Sequence, residues 1–189
     1  FTASNYDPKA WVELIKESGA QYTVLTTKHH DGVALWDTKQ NGISVVKNTP
    51  AKRDLVTPFV NEVRKAGLRL GLYYSLPDWS HPDYPNMTRT DVRYKDDPKR
   101  WDNFCKFNFG QLAELNNTYK PDLYWFDGDW EMSAETWRAK EIMQLLRSNN
   151  KNVIVNSRIT GYGDYATPEQ GVPVVRPEDK YWELCMTMN

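Results

Sequence analysis

Four times in this chain an apolar run of β-favouring residues follows a stretch of helical periodicity and ends on a cluster of polar and aromatic side chains. The runs are 22–27 (YTVLTT), 68–75 (LRLGLYYS), 122–127 (DLYWFD) and 152–156 (NVIVN), and the clusters are KHHDG, SLPDW, DGDWE and SRITGYGDY. Helix signals alternate with them. Asp7-Pro8 supplies an N-cap and a proline at the first helical position, and Gly19 closes that helix. Asp54 caps a second helix reaching about Ala66, a third runs from Pro98 to about Asn117, and Ser133 caps a fourth ending near Asn149. A fifth strand is expected from Leu184 to Met188.

Strands alternating with helices mean parallel βα units, and strands covered on both faces read as continuous apolar runs, as these do. No GxGxxG or GxxxxGK[ST] is present, so nucleotide binding has no support. An open sheet concentrates its chemistry near one switch point, whereas here every strand ends on chemistry-bearing residues. That distribution predicts the α/β fold class, a (β/α)8 TIM-like barrel with its site at the strand C-terminal ends. A complete barrel takes about 250 residues. The chain has 189, so the expectation is that residues 1–189 are part of a single catalytic barrel domain, represented by a partial set of βα units. The Pro-rich stretch Pro77 to Pro98 is expected to be a large loop on the same face.

A formal net charge of -1 gives no electrostatic reason to expect nucleic acid or an anionic membrane as partner. No run of about 18 apolar residues predicts a membrane span, and no secretory apolar segment opens the sequence. Cys105 and Cys185 form no CxxC and read as free buried thiols. Asn86 and Asn116 stand in short glycosylation sequons that carry little weight. Eight Trp and eleven Tyr are many for this length; aromatic faces suit sugar rings, but they also fill cores.

His29 and His30 pose the sharpest question. Adjacent side chains on extended backbone point apart, which disfavours one shared metal, and no HExxH or Cys/His quartet is present. Hydrogen bonding to substrate hydroxyls and a structural pairing at the strand end both remain open. Asp31 and Gly32 suit a turn. Asp127 closes an apolar strand before Gly128 and is placed to act as a nucleophile, with an N-cap or ion pair as the alternative. Asp129 and Glu131 suit capping or pairing. Acid–base work needs a second carboxylate, for which Glu169 and Glu183 both qualify, with Asp164 a weaker third. Arg158 could bind a sugar hydroxyl or pair with one of these acids.

TTKHHDGVALWDT, GLYYS, PDLYWFDG, VNSR and YWE, in that order, resemble the α-L-fucosidases of glycoside hydrolase family 29 along essentially the whole chain. The resemblance implies a (β/α)8 catalytic domain that removes α-linked L-fucose from oligosaccharides or glycoconjugates with retention, needing no metal and no organic cofactor. It implies Asp127 as nucleophile and His29, His30, Tyr74 and Arg158 as sugar-binding residues, with Trp36 beside them. For the acid/base it favours Glu169, with Glu183 the alternative. The TPEQ context is similar to the subgroup acting on branched α-1,3/1,4 linkages. Location in a secreted, periplasmic or lysosomal compartment follows from the same likeness. Two departures stand out: Val33 replaces the usual Phe, and the family's further pocket His and acidic–aromatic pair would lie upstream of Phe1. The competing class is a non-catalytic carbohydrate-binding protein or an inactive piece of such an enzyme.

Overall fold

The computed structural model of the chain describes residues 1–175 and 178–187. Four strands form one parallel sheet in chain order: β1 (Tyr22–Lys28), β2 (Arg69–Ser75), β3 (Leu123–Asp127) and β4 (Ile154–Val155). The helices are α1 (Pro8–Glu17), α2 (Val45–Asn48), α3 (Val56–Lys65), α4 (Pro98–Tyr119), α5 (Ala134–Trp137) and α6 (Ala139–Asn149). Consecutive parallel strands joined through helices are the repeating unit of a (β/α)8 barrel, here as a partial set.

The predicted helix starts are present. Asp7 accepts from the Ala10 amide and Asp97 from the Arg100 amide, each just before a proline at the first turn. Asp54 accepts from the Val56 and Thr57 amides at the head of α3. Three expectations need correction. The short helix α2 was not foreseen. The helix expected from Ser133 to Asn149 breaks at Arg138, whose φ of 57° lies in the left-handed region. The break is held by a 2.8 Å ion pair from Arg138 to Asp102 on α4 and by the Trp137 indole, which donates to the Asp129 carbonyl. Residues 184–187 make only an isolated bridge, Glu169 with Cys185, and no fifth strand; Met188 lies outside the described residues. Cys105 is buried and free, and burial pushes its thiol up to about 11; Cys185 is free but only half-buried.

Strand alternation divides the sheet into two faces. Leu70, Leu72, Tyr74, Tyr124, Phe126 and Val155 join the main core beneath the helices. Val24, Tyr73, Leu123 and Trp125 form a second cluster on the opposite face, which would be the lumen of a barrel. Ser75 and Asp127 are partners in register and follow Tyr73 and Trp125 by two residues, so they share the lumen face.

One irregularity decides what β1 presents. Its register with β2 slips between Thr26 and Lys28, a bulge that moves the alternation by one residue. Lys28 is thereby sent beneath the sheet, fully buried, where it pairs with Asp78 at 3.4 Å and donates to the Tyr74 hydroxyl. Burial lowers the Lys28 ammonium from its ordinary value, opposed by Asp78. The chain then leaves the strand and turns at Gly32 (φ +81°), where a Cβ would stand 2.1 Å from an Asp78 carboxylate oxygen. Lys28 and Gly32 thus both pack against Asp78, fixing the histidines between them.

Candidate active site

The strand ends of β1, β2 and β3 and the loop after β4 converge on Asp127. Its carboxylate is nearly buried. Tyr73 donates its hydroxyl to Oδ2 at 2.8 Å, and Arg158 donates from Nη1 to Oδ1 at 2.7 Å. The same guanidinium donates from Nη2 to Glu169 Oε2 at 2.5 Å and from Nε to Thr167 Oγ1. Arg158 therefore bridges the two carboxylates named as a candidate pair. It lies 4.5 Å from the Trp125 ring centroid.

What aims Arg158 is Asn156, two residues earlier. Its side chain accepts from the Phe126 amide at 2.8 Å and donates to the Phe126 carbonyl at 2.9 Å. An asparagine amide thus replaces the backbone ladder where β4 is short, and ties the VNSR segment to the strand that ends in Asp127.

Both histidines face the cluster. Sequence reasoning has adjacent side chains pointing apart, but that holds only for extended backbone. The strand stops at Lys28, and the turn that follows brings the rings to 4.3 Å between centroids. His29 stacks on Tyr73 (5.7 Å, 8°), and Tyr73 on Trp125 (5.4 Å, 20°), so an aromatic row crosses three strands. His30 Nδ1 is 2.6 Å from Ser75 Oγ, and that hydroxyl donates to the Pro77 carbonyl. Ser75 must then accept from Nδ1–H, which leaves Nε2 of a neutral ring as an acceptor, 3.6 Å from Asp127. Burial first, and His29 beside it second, hold His30 below the ordinary histidine value and favour that neutral form.

His29, His30 and Asp127 each offer a ligand atom within 4.8 Å of one another, the one such group among the described residues. As a metal site it is poor. Both Asp127 oxygens are already engaged, one of them by a guanidinium that a cation would have to displace or tolerate, and His30 commits Nδ1 to Ser75.

Four named residues are not brought to this cluster. Tyr74 is one strand position away from Tyr73 and so faces the helices. It is fully buried, with its hydroxyl against Asn108, Gln111 and Lys28; the tyrosine of GLYYS that touches Asp127 is Tyr73. Trp36 is buried in the main core and donates to Glu114 on α4. Glu183 accepts from Trp125 Nε1 (3.0 Å) and from Tyr22 (2.7 Å), the first residue of β1. It has no hydrogen bond or ion pair with Asp127 or Arg158 among the described residues. Asp164 pairs with Arg147 on the outside. Sequence reasoning missed Tyr73, Ser75 and Trp125, although counting back by two from Asp127 and reading across the register reaches all three.

This separation sets a test. Tyr73→Phe is expected to lower turnover, through loss of the donor to Asp127, with little change in thermal midpoint. Tyr74→Phe is expected to cost about 1–3 kcal/mol of stability, because buried Lys28, Asn108 and Gln111 lose a shared partner. Paired unfolding and turnover measurements check both.

The loop 77–97 is ordered around this face. Glu131 accepts from Trp79, Tyr84 and Asn86, and Arg93 donates to the Trp79, His81 and Tyr84 carbonyls.

A family model described as Alpha-L-fucosidase matches residues 1–189. The tissue alpha-L-fucosidase of Mus musculus is 35% identical over 204 residues, covering 100% of this chain and 42% of that protein. The chain thus spans about two fifths of the length of the curated relatives it matches. Among solved structures, alpha-L-fucosidase isoenzyme 1 from Paenibacillus thiaminolyticus aligns with a TM-score of 0.88 at 36% identity, over 100% of this chain and 50% of that one. A GH29 alpha-L-fucosidase from Bacteroides thetaiotaomicron, trapped as a covalent intermediate with 2-fluoro-fucosyl fluoride, aligns with a TM-score of 0.83 at 32% identity, over 98% and 46%.

Proposed function

The chain belongs to the alpha-L-fucosidase family of GH29, and from that premise we propose that the protein it forms part of is a retaining exo-glycosidase releasing terminal α-L-fucose from glycans or glycoconjugates. The observation that carries the proposal is the Arg158 guanidinium bridging Asp127 and Glu169 beside two histidines. Two carboxylates sharing one guanidinium suit the roughly 5–5.5 Å separation of retaining enzymes. The solved relative trapped as a covalent intermediate supports the same chemistry.

In the first step Asp127 attacks the anomeric carbon as the bond to the leaving oxygen breaks, and Glu169 gives that oxygen its proton. In the second, water attacks the same carbon, Glu169 takes its proton, and Asp127 is released. Arg158 and Tyr73 each supply a hydrogen bond to the departing carboxylate. Glu169 is free to serve the leaving group once it lets go of Arg158; its side chain is 46% exposed. The His30 Nε2 acceptor and the His29 ring are placed to take sugar hydroxyls. No metal or organic cofactor is required by this scheme. Glycans are the proposed partners, and a secreted, periplasmic or lysosomal compartment the proposed location. No described helix is long and apolar enough to cross a membrane.

The test is hydrolysis of an aryl α-L-fucoside by the full-length chain, followed by NMR with EDTA present. The α-anomer of fucose is expected as first product, with no loss to the chelator. β-fucose first would overturn retention. Fucose binding without turnover would favour the carbohydrate-binding alternative, and loss of activity to EDTA would reopen the histidines as metal ligands.

A further inference from the structure

Five tryptophans donate their indole N–H inside the chain: Trp36, Trp79, Trp101, Trp125 and Trp137. Trp130 does not among the described residues, and its side chain stands out, 61% exposed. Its backbone is the opposite of loose. Gly128 turns the chain with a φ of 80°, and Trp130 sits in the middle of a 3-10 turn, Asp129–Glu131. On one side Asp129 accepts from the Thr160 amide at 2.7 Å, and its carbonyl accepts from Trp137 at 2.8 Å. On the other, Glu131 accepts from Trp79, Tyr84 and Asn86. Five hydrogen bonds therefore fix the two neighbours of an indole that is itself left uncovered.

The indole is also next to the reacting groups. Its ring centroid is 6.5 Å from that of His30, edge on, and 5.9 Å from the Arg158 guanidinium carbon. Arg158 is the group that holds both Asp127 and Glu169. A rigid, wet aromatic face beside the nearly buried Asp127 and the more exposed Glu169 has the form of a platform for an amphipathic ring. The surroundings of Asp127 are already made by Tyr73, Trp125 and the histidines. The ring left for Trp130 is the one that departs.

We propose that Trp130 is a specificity-determining residue that stacks against the sugar to which fucose is attached. The inference rests on the fucosidase reading above and goes beyond it, since that reading requires no particular contact to the leaving sugar. Trp130 acts on the bound leaving group and has no part in bond making or breaking.

The experiment compares α-L-fucosyl fluoride, which has no second sugar, with fucosyl-N-acetylglucosamine, using the linkage isomer the unaltered full-length protein cleaves fastest. Trp130→Ala is expected to lower the ratio of kcat/KM for disaccharide over fluoride by about tenfold, the upper end of what one aromatic contact supplies. Trp130→Phe, which keeps a ring, is expected to recover much of the ratio. Thermal midpoints should be unchanged, because the side chain is exposed. Equal losses on both substrates would place Trp130 in the fucose pocket and overturn the inference, as would an unchanged ratio. If the unaltered protein cleaves neither substrate, the fucosidase reading fails and this inference falls with it.

Discussion

Asp127→Gly in the full-length chain is expected to cut hydrolysis of an aryl α-L-fucoside by on the order of 10⁴-fold or more, the scale at which removal of one member of a catalytic unit is felt. Azide is expected to restore turnover and to yield a fucosyl azide of inverted configuration. The geometry gives the reason. Asp127 is nearly buried, and its two oxygens take donors from Arg158 and Tyr73. Glycine empties that space and leaves both donors facing it, with Arg158 still anchored by Glu169 and Thr167. A small anion can enter and attack once, so the configuration inverts where the double displacement of the unaltered protein retains it. Unaltered hydrolysis in the glycine variant would remove Asp127 from the mechanism. Lost activity with no azide product would leave it a merely structural carboxylate.

The second large effect separates two acids. Glu169→Ala is expected to lower hydrolysis of substrates with poor leaving groups by roughly 10²–10⁴-fold, the usual range for general acid catalysis. Substrates whose leaving group departs without a proton should lose far less in the first step. Azide should here give a product of retained configuration, because the intermediate on Asp127 still forms and is then trapped. Glu183→Gln is expected to do something different. Its carboxylate accepts from both Tyr22 and Trp125, so losing a good acceptor costs about 1 kcal/mol of stability, with no new dependence on the leaving group. If the leaving-group signature follows Glu183 instead, the acid/base role moves to it, and the contact between Arg158 and Glu169 becomes an ordinary ion pair.

The legible part of this fold is the part governed by local periodicity. Asp7-Pro8 and Asp54 carry their capping chemistry in adjacent residues, and helices begin beside them and at Pro98 as expected. Apolar runs bounded by turn residues located β1, β2 and β3 closely. The break at Arg138 was not legible, because an ion pair to Asp102 and an indole bond to Asp129 hold it, and neither is local to the helix pattern. The clustering of the candidate site was legible where a motif ends a strand: Asp127, His29, His30 and Arg158 do meet. It was misread where one residue of phase mattered. Tyr73 and Tyr74 are interchangeable in GLYYS until the register with β3 says which of them shares a face with Asp127.

By itself, then, the sequence determined the alternation of parallel βα units and the gathering of polar groups at strand ends, because caps, turns and period-two patterns act over a few residues. Tertiary structure alone decided which side chains face each other. The bulge between Thr26 and Lys28 sends the lysine under the sheet and the histidines over it. The Asn156 amide clasps β3 and aims Arg158 at Asp127. Glu169 and Glu183, near in sequence, part company, one to Arg158 and the other to Trp125. Each of these rests on register or packing between separate segments, from 11 residues apart for Arg158 and Glu169 to 58 for Trp125 and Glu183, where the partner's position, and not the residue's own neighbours, sets the geometry.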